Sequence, residues 1–152
     1  MKALTLIQPW AWAICSAGKR IENRGWRPPR SLWGQRIAIH AGKKFDPDSG
    51  LALFAEGYGL PATMPQGAIV ATARIAGVVT EDKTGLVVES ASEEPPAWVL
   101  SPKNRVWFCG PVGWVLDEVV VLREPVPCRG AQGLWVVPAA VERQVLGMQE
   151  AA

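Results

Sequence analysis

The run GAIVATARIAGVVT, residues 67–80, is apolar and rich in β-branched residues from end to end. Such a run reads as one long strand. Arg74 is an unusual residue inside it, and Gly77 allows a bend or a bulge. Shorter segments read the same way. They are ALTLI (3–7), QRIAIHAG (35–42), RVWF (105–108), VGWVLDEVVVL (112–122) and LWVV (134–137). In QRIAIHAG, Ile37 and Ile39 point to one side, and Arg36, Ala38 and His40 to the other. Helical signals are fewer. Trp10, Ala13, Ile14 and Ala17 recur at helical spacing after Pro9 and before Gly18, which predicts a helix over 9–17. Asp46 and Pro47 open a second over 46–59, closed by Gly57 and Gly59. Pro138 opens a third over 138–149, with Val141 and Val145 one turn apart. Residues 81–105 read as irregular, with an acidic, Pro-rich surface loop at 89–98.

About five or six strands with two or three short helices and few crossovers define an α+β class. A small mixed β-barrel fits better than a doubly wound parallel sheet. The 152 residues show no repeat or linker, so a single domain over 1–152 is expected. The start, MKALTLIQPWAWAIC, has one Lys followed by apolar residues, but Gln8 and Pro9 interrupt it and charged residues follow. It reads as strand then helix, not as a signal peptide. No stretch approaches the ~20 apolar residues of a membrane span. Three cysteines without regular spacing argue against a disulfide framework, and with a single His they argue against a zinc site. Reduced thiols in the cytoplasm are the simplest reading, and no cofactor or metal is implied.

The net charge is only +2, so any nucleic-acid role must rest on local clustering. One cluster stands out. AGKRIENRGWR, residues 17–27, holds Lys19, Arg20, Arg24 and Arg27, with Arg30 just beyond and Glu22 as its one carboxylate. In an extended segment Arg20, Glu22 and Arg24 share a face, and Ile21 and Asn23 the opposite one. Trp is also abundant, at eight residues. Core filling is the plain explanation, but an indole beside cations can stack on a base.

The blocks LIQPWAWAI, AGKRIENRGWR, GQRIAIHAG, GAIVATARI, GPVGWVLDEVVVL and CRGAQGLWVV, in this order, resemble the ASCH domain family of the PUA-like superfamily. The resemblance runs from Leu4 to about Pro138. The family's GxKxxExR signature falls on Ala17, Lys19, Glu22 and Arg24, matching at three of four positions, with a Gly one place late at Gly18. The resemblance implies a PUA-like β-barrel, a cleft lined by the charged trio, and RNA-related work there.

Three readings of the trio follow. In the first, Lys19, Arg24 and Arg27 contact phosphates of single-stranded RNA or another single-stranded nucleic acid, and Lys43 and Lys44 extend the track. Trp10 or Trp26 stacks on a base, and Glu22 orders Arg24 or accepts from a base amino group. A modified nucleoside is the smaller version of the same ligand. In the second, the site is hydrolytic. Some bacterial relatives are amidohydrolases acting on N4-acetylcytidine, with a Thr three residues after the Lys. Here that position is Glu22, and 67–75 has no Glu, only Thr72 and Arg74 as polar residues. Lys19 as base and Glu22 activating water would be the substitute. A metal-independent ribonuclease would use Lys19 or His40 as base and Arg24 as the cation. In the third, Glu22 with Arg20 and Arg24 is a surface ion-pair ladder. A protein-interaction module would instead expose an apolar Trp patch. Cys109 and Cys128 lie in turns, and Arg129 in PCRGAQG could join an anion nest.

Overall fold

Strand β1 (Lys2–Gln8) runs parallel to β3 (Arg36–Phe45), with Ala3 opposite Ala38, Leu4 opposite Ile39 and Thr5 opposite His40. On its other side β1 pairs antiparallel with β7 (Leu134–Val136). The computed structural model describes residues 1–150. Between β1 and β3 lie α1 (Trp10–Ser16) and β2 (Ile21–Arg24). After β3 come α2 (Pro47–Ala55), β4 (Ala68–Asp82), β5 (Gly85–Ser90), α3 (Pro102–Arg105), β6 (Val112–Pro127), β7 and α4 (Ala139–Glu150). The strands hydrogen-bond in the order β2-β6-β4-β3-β1-β7, with β5 on β4.

The fold is mixed α+β, with seven strands and four α-helices among the described residues. This corrects the expected five or six strands and two or three helices. The strand path is open, with β2 and β7 at its ends, rather than the closed ring of a barrel. By its contacts the chain divides into two compact units. Unit one comprises 1–17, 37–72 and 120–152; unit two comprises 18–36 and 73–119. The long strands β4 and β6 each contribute to both.

In unit one, Ala3, Ala38, Ile69, Leu122, Val126, Val137 and Val145 form a buried cluster, joined by Val141 and Met148 of α4. Small residues at Ala3 and Ala38 let the paired strands carry that helix closely. Gln8 satisfies a donor in the first turn of α1. Its Oε1 accepts from the Trp12 N–H at 2.9 Å, and its Nε2 donates to the Pro65 carbonyl at 2.8 Å. Asp46 caps α2 as expected, accepting from the Asp48 and Ser49 N–H groups.

In unit two, β2 pairs antiparallel with β6, setting Glu22 opposite Trp114 and Asn23 opposite Gly113. Gly113 is bare because Ile21 and Phe108 fill the space of a side chain there. The stretch 81–105 is more regular than expected. Asp82 accepts from the Thr84 N–H at 2.7 Å, closing a hairpin between β4 and β5. RVWF is not a strand: Arg105 ends α3 and residues 106–107 turn. Ser101 and Pro102 start that short helix, and the Asn104 Nδ2 donates to the Trp98 carbonyl at 2.9 Å. No helix among the described residues is long and apolar enough to cross a membrane.

Candidate functional site around Lys19

Gly18, at φ +73, turns the chain out of α1 and sends Lys19 inward. The Lys19 side chain is only 2% exposed. Its ammonium donates to the Ile21 carbonyl and, at 2.6 Å, to Glu22 Oε2. The other Glu22 oxygen lies 3.5 Å from Arg24 Nε. One buried carboxylate therefore bridges two cations, and the trio carries a net charge of +1. Burial pushes the Lys19 pKa below its ordinary 10.5. The Glu22 carboxylate and Cys109 oppose that shift, and Arg24 adds to it. Lys19 and Glu22 are both buried, so Glu22, the carboxylate of the ladder reading with Arg20 and Arg24, does not lie on the open surface. Arg20 donates to the Lys19 carbonyl at 2.9 Å.

Alternation along β2 puts Asn23 on the face opposite Glu22 and Arg24. Its Nδ2 donates to the Trp107 carbonyl at 2.8 Å, and its Oδ1 accepts from the Cys109 N–H at 3.0 Å. Asn23 was not singled out from sequence. Its partners lie more than eighty positions away, so no local pattern announces them. Trp114 donates from Nε1 to the Trp26 carbonyl at 2.9 Å, and the two rings meet edge to face at 4.8 Å. Trp26 stays 38% exposed, and it is the one Trp among the exposed large hydrophobic side chains.

Arg27 and Arg30 reach a different carboxylate. Arg27 Nη1 lies 2.5 Å from Glu89 Oε1, and Arg30 Nη2 lies 2.9 Å from Glu89 Oε2. Exposed pairs of this kind contribute about 0–1 kcal/mol. Arg74, the odd residue of the long strand, makes a forked pair with Asp117 at 3.0 and 2.5 Å.

The remaining candidates belong to unit one. His40 is 2% exposed and fully engaged. Its Nε2 lies 2.9 Å from the Cys128 carbonyl, which can only accept, so Nε2 carries the proton. Nδ1 then accepts from the Thr5 hydroxyl at 3.2 Å, and that hydroxyl accepts from Trp135 Nε1 at 3.0 Å. Burial lowers the His40 pKa. Gly130 lies against the imidazole, where a side chain would overlap the ring. Close packing thus accounts for one glycine of PCRGAQG. Arg129, Lys43 and Lys44 are exposed, and Trp10 is half-buried. Burial pushes the Cys128 thiol up, and all three cysteines are free. A groove of about 620 Å³ runs beside α2, lined by Phe45, Leu51, Phe54 and Met64 among others. Among the described residues, no group of three His, Cys, Asp or Glu side chains could hold a metal.

The ASCH domain family model matches residues 4–109. The later blocks GPVGWVLDEVVVL and CRGAQGLWVV lie beyond that match. Among solved structures, the chain is similar to ASCH from Zymomonas mobilis, with a TM-score of 0.54 at 17% identity. That match covers 97% of this chain and 94% of the other. A mutant of the Zymomonas mobilis protein matches with a TM-score of 0.54 at 16% identity, covering 97% and 96%. At these identities the likeness speaks for the fold alone. No curated protein sequence matches the chain. With the family model matching residues 4–109, most of the chain, this protein belongs to the ASCH domain family.

Proposed function

We propose that this chain recognises single-stranded RNA, or a modified nucleoside, through the constellation of Lys19, Glu22 and Arg24. One observation carries the reading: a lysine nearly sealed from water, with its charge held against a buried glutamate. A buried ion pair is a poor stabilising device, since desolvation offsets most of its attraction. Such a pair at a family signature is better explained by a ligand. Lys19 is too deep to be the main phosphate contact. In this reading it orders Glu22, whose second oxygen sets the Arg24 guanidinium. Arg24 is the group that meets the ligand, and half-exposed Trp26 offers an edge or face to a base.

A second reading has its own support in the lowered Lys19 pKa. A lysine brought down by burial can serve as a general base. Hydrolysis of an N4-acylated cytidine, or of RNA, would then use Lys19 to take the proton of the attacking water or 2′-hydroxyl. Fully engaged His40 is the weaker candidate for that role.

Short mixed-sequence single-stranded RNA separates the two. Its anisotropy would be followed at low and moderate salt, with the same samples run on a gel. Salt-sensitive binding of intact RNA, weakened about tenfold or more by Arg24→Ala, is the expected result. Cleaved RNA, or turnover of N4-acetylcytidine lost in Lys19→Met, would favour hydrolysis. RNA affinity untouched by Arg24→Ala and Arg24→Gln would remove the recognition reading.

A further inference from the structure

Arg27 and Arg30 are spaced by Pro28 and Pro29, whose rings fix the backbone between them. Pro28 is buried, so both arginines leave the chain from a stiff, anchored base. Their guanidiniums converge on one carboxylate, one oxygen each, at 2.5 and 2.9 Å. Arg30 is also held from behind, with its guanidinium 4.1 Å from the centre of the Trp33 ring. The carboxylate is placed with equal care. Glu89 sits on β5 opposite Val78 of β4. Next to Val78, Gly77 is bare, and a side chain there would overlap the Glu89 carbonyl oxygen. Two guanidiniums that each take one oxygen of a carboxylate are equally spaced for two oxygens of a phosphate. Arg30 is 73% exposed, so an outside anion can reach the pair.

We propose that Arg27 and Arg30 form a phosphate-binding fork for the backbone of single-stranded RNA, and that Glu89 fills it in the free protein as an internal competitor. The identity of the phosphate's carrier rests on the RNA reading above; the fork itself does not. When a phosphodiester enters, Glu89 leaves to water and the two arginines exchange one anion for another. Apparent affinity is then reduced by the fraction of time that Glu89 occupies the fork.

Glu89→Gln keeps the shape of the side chain and removes its charge. It should tighten binding of a labelled single-stranded RNA about three- to tenfold. It should also steepen the salt dependence, because in the natural chain Glu89 already balances part of the fork's charge, and without it the phosphate displaces solution anions instead. Adding Arg27→Ala and Arg30→Ala should abolish the gain, and Glu93→Gln, which removes a charge from the exposed loop after β5, should give none. The proposal falls if Glu89→Gln brings no gain. It falls too if the gain survives loss of both arginines or is matched by Glu93→Gln. Should no variant bind RNA, the RNA reading fails by itself, and inorganic phosphate decides the fork. A fluorescence change in Glu89→Gln that disappears with Trp33→Phe would keep the fork with another phosphate carrier. No such change would overturn it.

Discussion

Lys19 sits at the position where physical cost is highest. Removing one partner of a buried pair leaves the other charged and dry, which typically costs roughly 3–5 kcal/mol. Lys19→Met should therefore destabilise unit two by about that amount in urea unfolding, with Glu22 left against Arg24 alone. Arg27→Ala, which breaks an exposed pair, should stay within about 1 kcal/mol by the same measurement. The double change Lys19→Met with Glu22→Leu should recover much of the loss, since it removes both charges. The order of the trio was legible in the sequence, but its burial was not. A spacing of three residues across a turn fits a surface ladder as well as a buried clamp, and Gly18 decides between them by turning Lys19 inward. The partner of Arg27 and Arg30 was out of reach for a different reason: Glu89 lies 62 and 59 positions away.

At the scale of elements, the long strand was readable because β-branched residues leave a helix little to gain. Asp46 and Pro47 likewise announce α2 through groups that satisfy its first N–H donors. β5 was missed because its turn, Asp82 to Gly85, lacks the Asn-Gly or Asp-Gly pair of the commonest hairpins and relies on the Asp82 side chain instead. RVWF misled because four apolar-rich residues can end a helical turn as readily as they can form a strand. Gly77 tests the β4–β5 pairing directly. Gly77→Ala would force both an unfavourable backbone conformation and an overlap with Glu89, at a cost of about 1–3 kcal/mol in denaturant unfolding. Loss of amide protection over 85–90 should accompany it.

Over the whole molecule, a net charge of +2 provides little long-range attraction for a polyanion. The proposed RNA binding should then depend on a few local contacts. We expect log affinity to fall with log salt at a slope of about 1.4, as for two phosphates on a single strand. A much steeper slope would point to a diffuse basic surface rather than to Arg24 and the Arg27–Arg30 fork. One acid-sensitive group, His40, lies in unit one. Because burial lowers the His40 pKa below 6.5, the unfolded chain takes up the proton first as pH falls. The stability tied to neutral His40 is thus present above about pH 6.5 and is lost as pH falls through the lowered value. Melting temperatures between about pH 8 and about pH 5 should drop more for the natural chain than for His40→Asn.

That imidazole has one more use. It is the only one in the chain, and the Cys128 carbonyl holds its Nε2 proton away from solvent. A single slowly exchanging ring resonance should therefore stand alone in the nitrogen-correlated spectrum. Its exchange rate would time the opening of unit one without any label.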